Sequence, residues 1–293
     1  MKTRGRLLAA ATAVLALTAV TACSASNAPT EGPMVQSDPQ PVDPQRCADA
    51  SAEPSAPSAG SPAPDTTAAR LAERGRVIVG VSSDTLGLSA RQNASGSIEG
   101  FEVDLAARIA QEVTGDAANV ELKVIQGTDV AAALDSGQVD MVINHVPLSC
   151  QYQDQVALSE PYLTSPVAVL EREGNTAESI CGDEMETLAL APGDPKLAAS
   201  SPGGCLVWLQ QGEVQRIAGA NVTLAGLAQQ DPQTAVSTLD EQVQLSVAVD
   251  QDRADLAAYT GAVINAWRGD GGWQQSWDRW LAPLDAQGSE GNS

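Results

Sequence analysis

The sequence predicts an α/β fold in which mostly parallel sheets are covered by helices. Short β-branched apolar runs alternate along the chain with segments whose apolar residues recur at helical spacing. That strand–helix–strand order builds parallel sheets with helices on their faces. The chain has 293 residues, 43% hydrophobic and 18% charged. This is enough for one large domain or two small ones with a real core, and it argues against a mostly disordered, collagen-like or coiled-coil chain.

The first 22 residues read as an address. Lys2, Arg4 and Arg6 precede an apolar run from Leu7 to about Ala19, then Val20-Thr21-Ala22-Cys23. A basic start, a short apolar stretch and a small-residue exit describe a secretory signal peptide. The run is too short to span a bilayer. A cysteine directly after the small residues resembles the bacterial lipobox, in which the thiol is diacylated and the chain is cut before it. An ordinary signal peptide with Cys23 incidental is the alternative. Two or three acyl chains anchor stably where one binds only marginally. Residues 23–67 are Ser, Ala, Pro, Asp and Gln with almost no large apolar residue. Such a stretch does not bury enough surface to offset its ordering entropy, and it reads as a disordered tether. Its ~43 residues give a reach of roughly 35–40 Å.

The folded region follows in order. Residues 76–81 are an apolar β-branched strand, and 96–100 a glycine-bounded turn. Residues 104–113 place Leu105, Ile109 and Val113 on one helical face. Glu102 and Asp104 sit at the start of that helix, where acids complement its dipole. Residues 119–125 alternate as a strand, 128–136 form a helix capped by Thr or Asp, and 138–143 form another strand. A second unit begins with 165–170. In it 186–191 and 242–249 are strands, while 205–211, 223–230, 255–268 and 272–281 are helices. Trp267, Trp273, Trp277 and Trp280 fall at helical spacing near the end and read as anchors of a terminal helix.

Composition removes several functions. Sixteen Lys and Arg against 37 Asp and Glu give a formal net charge of −21. Such a surface repels phosphate backbones, so nucleic acid is not a partner. The single histidine, His145, rules out a His-rich metal site. Nine aromatic residues are too few for a base-stacking platform. No nucleophile–base pair is legible near His145, and Pro202-Gly-Gly204 lacks the Lys-Ser/Thr of a phosphate loop. The reading is therefore not an enzyme, with no metal and no cofactor. Five cysteines occur. With Cys23 lipidated, Cys47, Cys150, Cys181 and Cys205 remain, and an exported chain favours two disulfides among three pairings. Closeness in the chain favours Cys181–Cys205, leaving Cys47–Cys150. Free buried thiols are the alternative.

Gly100-Phe-Glu-Val-Asp-Leu-Ala-Ala-Arg-Ile-Ala-Gln-Glu-Val113 resembles the signature of bacterial extracellular solute-binding proteins of the polar-amino-acid type, family 3. Leu134-Asp-Ser-Gly-Gln-Val-Asp-Met-Val142 resembles that family's helix-to-strand step, and Ser159-Glu-Pro-Tyr162 its lobe-crossing motif. Asp270-Gly-Gly-Trp273 through Trp277-Asp-Arg-Trp280-Leu281 resembles its closing helix. Cys150 and the run Cys205-Leu-Val-Trp-Leu-Gln-Gln-Gly-Glu-Val214 look most like the actinobacterial glutamine/glutamate-binding lipoproteins. The resemblance implies a type II periplasmic-binding-protein fold. It has two α/β lobes, each a mostly parallel sheet flanked by helices, joined by two crossing strands as a hinge. Lobe 1 is then 68–165 with 242–284, lobe 2 is 166–241 and shortened, and 285–293 is a disordered tail. Between Ala191 and Cys205 the family fits another strand, and none is legible here.

The resemblance also implies a ligand cleft, and here the residues depart. An amino acid's carboxylate wants an arginine and helix N-terminal N–H groups. The family's arginine position is Tyr152. Asp194 follows the second-lobe strand where a hydroxyl residue is usual, and Asn221 stands where the acid for the ammonium belongs. Removing one partner of a buried charge pair costs roughly 2–5 kcal/mol, about 30- to several-thousand-fold in affinity. The implied ligand set is Asp84, Thr85, Asn144, His145, Tyr152, Asp194 and Asn221, suited to a cationic or uncharged polar solute. Asp84 is alternatively a turn residue, His145 a strand-end residue, and Tyr152 a core or lobe-interface tyrosine. The implied function is a membrane-anchored extracytoplasmic solute-binding protein, a monomer whose partners are an ABC importer's permease or another membrane protein and a small polar solute. The alternative is a degenerate binding protein acting as a sensor or scaffold.

Overall fold

Val77–Val81 (β1) is buried at all five positions, as the run Val-Ile-Val-Gly-Val requires of a strand covered on both faces. A computed structural model describes residues 59–149, 152, 155–174, 178–182, 196–286 and 288–290. In it β1 is flanked by two parallel partners, Val120–Val124 (β5) and Met141–Val142 (β6), with Val130–Asp135 (α3) between them in the chain. Phe101–Thr114 (α2) covers one face, with Phe101, Leu105, Ile109 and Val113 in the core. The helix starts at Phe101, one turn earlier than its apolar spacing suggests. A separate three-stranded sheet of Asp84–Thr85 (β2), Ser89–Arg91 (β3) and Ile98–Glu99 (β4) precedes it.

Two strands of 17 residues each, Val156–Arg172 (β7) and Thr234–Asp250 (β11), run antiparallel through the middle. Beyond them lie Arg216–Ala220 (β10), Ile180–Gly182 (β8) and Lys196–Ala198 (β9), with β8 parallel to both neighbours. The order β5-β1-β6-β11-β7-β10-β8-β9 makes one eight-stranded sheet. Each end of the sheet is parallel, and the antiparallel pair crosses between them. Strand β9 corrects the expectation that no strand lies between Ala191 and Cys205. Three residues are too few to show a period. The reading of 186–191 as a strand lies outside the described residues.

Of the four buried clusters on this sheet among the described residues, two anchor the helices on either side of the crossing pair. The larger gathers Val77, Leu105, Tyr162, Val247 and Trp267. The smaller gathers Leu170, Cys181, Cys205, Leu209, Leu224 and Leu227 around Pro202–Gln211 (α4) and Asn221–Ala228 (α5). Cys181 and Cys205 are disulfide-bonded and tie β8 to α4. Cys23, Cys47 and Cys150 lie outside the described residues.

The terminal helices Ala254–Gly269 (α6) and Gly272–Trp280 (α7) close the larger core through their tryptophans. Phe101 meets Trp267 and Trp273 at ring distances of 5.2 and 5.5 Å, and Trp277 stacks on Trp273. The Trp273 indole donates to the Tyr162 carbonyl at 2.8 Å, which fixes α7 to β7. Asp104 does more than complement a dipole. Its Oδ2 accepts from Ser276 Oγ and Trp280 Nε1 at 2.8 and 2.9 Å, so it holds α7 to α2.

Described residues on both flanks of the folded region pair with it. Within 23–67, read as a tether, Gly60 accepts a hydrogen bond from the Tyr259 hydroxyl at 2.6 Å. Burial, then Glu112, push that phenol up to about 12, so it stays a donor. Thr66 caps Thr67–Arg74 (α1), and Asp255 accepts from Thr67 N and Oγ1. Within 285–293, read as a tail, Ser289 exchanges both backbone hydrogen bonds with Thr164. Hydropathy does not register such pairings, because they are made by backbone and hydroxyl groups. Among the described residues no helix is long and apolar enough to cross a membrane.

The Cys181–Cys205 bridge closes a loop with a sequence separation of 24. Loop-closure entropy assigns such a bridge about 3 kcal/mol. A Cys181→Ala/Cys205→Ala double variant is expected to lose that amount in guanidinium unfolding. An unchanged midpoint would show that the unfolded state gains nothing from the bridge's removal.

Candidate functional site

A polar cavity lies where the carboxyl ends of β1, β5 and β6 face the start of α4. Ligand sites in open α/β sheets form outside such strand ends. Ser82, Ser83 and Asp84 follow β1, Gln126 and Gly127 follow β5, and Asn144 and His145 follow β6; all line it. Ser200, Ser201 and Pro202 line it from the other core, where Ser201 caps α4 and Pro202 fills its first turn. The enclosed space is about 20 Å³, room for a water molecule. Among the described residues no arginine or lysine lines it.

Local hydrogen bonds fix the Asp84 corner. The Ser82 hydroxyl donates to Asp84 Oδ1 at 2.7 Å and lies 3.0 Å from Thr85 Oγ1. Thr85 is fully buried behind it. Asn144 donates through Nδ2 to the Ile125 carbonyl at 3.1 Å, bracing two strand ends together. Its Oδ1, at a residue only 4% exposed, has no hydrogen-bond partner among the described residues. A buried acceptor left in this state is costly, and a donor entering the cavity relieves it.

Behind the cavity lies a buried carboxylate that sequence reading treated as dipole compensation. Glu102 is fully buried. Its Oε1 accepts from the His145 backbone N–H and the Tyr162 hydroxyl, each at 2.6 Å, and its Oε2 accepts from Ser89 Oγ at 2.9 Å. This corrects its role: α2 has no side-chain cap, and Glu102 links β3, the loop after β6, and β7. His145 has φ of +41°, an uncommon conformation for a non-glycine residue, held by its N–H bond to Glu102. Burial raises the Glu102 pKa above the ordinary 4.5, while His145, Tyr162 and Ser89 oppose the shift. The signal was present in the sequence. Glu102 lies one turn before Ala106 and two before Ala110, on the buried face of the helix.

The structure thus gathers Asp84, Asn144 and His145 at the cavity, with Thr85 behind Asp84. It places two of the other expected ligand residues elsewhere. Tyr152 is half-buried against the cluster of Ile78, Val130 and Val146. Asn221 opens α5 and lines a different groove, of about 560 Å³, with Ala225, Val236, Thr238 and Leu284. Asp194 lies outside the described residues. Sequence reading missed Ser82, Ser83, Gln126, Gly127 and Ser200–Pro202, although a strand end or a Ser-Pro helix start marks each. Among the described residues no group of three or more His, Cys, Asp or Glu forms a metal site.

Two α/β halves on a shared crossing pair, with a polar cavity between strand ends and a helix start, define a two-lobed solute-binding clamp. The chain belongs to the bacterial extracellular solute-binding proteins, family 3, whose match spans residues 77–283. The ABC transporter glutamine-binding protein GlnH of Bacillus subtilis (strain 168) is 22% identical over 232 residues, 73% of this chain and 84% of that protein. Among solved structures, the solute receptor for L-cysteine of Neisseria gonorrhoeae has a TM-score of 0.68 at 20% identity, over 75% of this chain and 95% of that one. The cysteine-binding protein from Campylobacter jejuni also scores 0.68, at 17% identity, over 75% and 94%. These relatives are binding proteins, and the structural likeness establishes the type II fold.

Since the folded state holds the Glu102 proton more tightly than the unfolded chain, this contribution to stability is complete below pH 4.5. It is lost as pH rises through the folded pKa. Glu102→Gln lacks it. The stability gap between wild type and variant, from urea midpoints, is therefore expected to narrow as pH rises from acidic to neutral. A gap that stays constant with pH would contradict the raised pKa.

Proposed function

We propose that this chain is a lipid-anchored, extracytoplasmic solute-binding protein of an ABC importer, closing two lobes on a small cationic or uncharged polar solute. The anchor is the Cys23 acyl group after removal of residues 1–22, with residues after Cys23 as tether. The family binds small solutes and works with ABC transporter membrane components, and the similarity to GlnH supports a place beside an amino-acid-type permease. The observation that carries the solute class is the cavity lining. Among the described residues it offers the Asp84 carboxylate, the unpartnered Asn144 Oδ1 and serine hydroxyls, and no cation for a carboxylate. A free α-amino acid held by its carboxylate gains no buried arginine there, consistent with Tyr152 at the family's arginine position.

One observation favours a second reading. A cavity of about 20 Å³ holds no solute of amino-acid size unless the lobes part. A degenerate clamp serving as sensor or scaffold for a membrane protein needs no such parting.

Calorimetric titration separates the readings. The panel is glutamine, glutamate, cystine, agmatine, putrescine and choline. The proposal expects micromolar binding by at least one of the three cations, weakened ten-fold or more by Asp84→Asn, and none by glutamine or glutamate. Micromolar glutamine or glutamate binding refutes the solute class. Silence across the panel favours the scaffold.

A further inference from the structure

The two halves touch at and beside the cavity, and three of these contacts are close. The Gly127 backbone N–H, beyond β5, donates to the Ser200 carbonyl at 3.1 Å. The Leu86 carbonyl oxygen sits 2.2 Å from where a Cβ on Gly226 of α5 would lie. Asp84 Oδ2 sits 2.4 Å from where a Cβ on Gly203 would lie, with the rest of the Asp84 side chain packed close behind it. Gly203 is the second residue of the ten-residue helix α4. Only an absent side chain lets the carboxylate reach this helix start. The first N–H groups and the dipole of a helix favour an anion at that end.

We infer that Asp84 is a built-in occupant of the clamp. Its carboxylate stands in for the anionic group of a solute at the start of α4, holds the lobes closed when no solute is present, and excludes carboxylates from that position. The inference rests on the solute-clamp reading. It adds how the site is regulated and which residue sets its discrimination against anions. The geometry is specific on both sides of the contact. Ser82 Oγ holds Asp84 Oδ1 at 2.7 Å, which leaves Oδ2 to face Gly203. The same cavity keeps the buried Asn144 Oδ1 without a partner among the described residues, an acceptor with no use for an anion. A solute carrying donors, and no carboxylate, enters beside Asp84 and satisfies Asn144. An anionic solute must displace Asp84.

The neighbouring glycine supplies the control. A Cβ on Gly204 would meet Ala199 Cβ at 3.4 Å and Ser201 Oγ at 3.7 Å, both in its own lobe and at ordinary contact distance. Gly203→Ala and Gly204→Ala gain the same helix propensity, but only the first strikes the other lobe. The experiment measures the distance between spin labels at E121C and E213C, exposed positions on the two lobes, in the full solute-free chain. Wild type and Gly204→Ala are expected to give one short distance. Gly203→Ala and Asp84→Ala shift to a longer distance, and millimolar sodium acetate returns Asp84→Ala to the short one. A long distance in the solute-free wild type, a short one in both Gly203→Ala and Asp84→Ala, or no acetate effect on an open Asp84→Ala overturns the inference. If the latch behaves as stated while the panel above stays silent, the solute reading falls and the latch stands. If solutes bind a wild type that rests open, the latch falls alone.

Discussion

The Glu102 carboxylate joins three elements around the candidate site. It sits at the first turn of α2, fully buried, and takes donors from three other elements. One donor comes from the small sheet that carries Asp84, through Ser89. One is the backbone of His145, in the cavity wall. The third is the hydroxyl of Tyr162 on the crossing strand β7. A buried carboxylate with fewer donors would be expensive to keep, and each donor left without it would be costly as well. The arrangement makes cavity wall, helix start and crossing strand a single unit. The left-handed backbone of His145 points its N–H at this carboxylate.

Much of the sheet was legible because its strands carry their own signal. Residues 76–81 were read within one residue of β1, and 119–125 within one residue of β5 at each end. The same alternation located α2, α6 and α7, whose apolar spacing survives in the packed helices. The crossing pair was harder. β7 is one strand of 17 residues, yet the sequence shows two fragments, a Ser-Glu-Pro-Tyr motif and an apolar run from 165. Prolines are the reason. Pro161 pairs with Ser246 and Pro166 with Gln242, each at a register shift between β7 and β11. A residue with no N–H breaks the ladder without ending the strand.

The site was half legible, and the division has a physical basis. Residues placed by strand ends, such as Asp84, Asn144 and His145, follow from element boundaries. Those assigned through the second lobe depend on register across a region of short strands and turns. Asn221 illustrates it. The residue opens α5 as expected of a helix start, but the helix end it decorates faces the groove beside Thr238 and Leu284. Tyr152 packs half-buried against Ile78 and Val130, on a cluster separate from the cavity lining. Glu102 was misread because the rule that acids favour a helix start is satisfied whether the side chain faces water or the core. Only its phase relative to Ala106 and Ala110 distinguishes them.

The same contacts show where the ladder between the crossing strands is irregular. On the first-lobe side β7 is held from every direction. Tyr162 is bound through its hydroxyl to Glu102 and through its carbonyl to Trp273, and Arg268 donates to the Pro161 carbonyl. Thr164 pairs with Gln244 of β11 on one edge and with Ser289 on the other. Two residues on, the ladder loosens. Pro166 pairs with Gln242, and the next pair is Ala168 with Thr238, so Leu239, Asp240 and Glu241 stand opposite Val167 alone. Three residues facing one leave backbone groups outside the regular ladder and concentrate twist there. Pairing then resumes without interruption to Arg172 and Thr234. A bend of the crossing pair is therefore expected at Val167 and 239–241, between a first lobe whose end of β7 is fastened by side chains and a second lobe whose ladder is continuous.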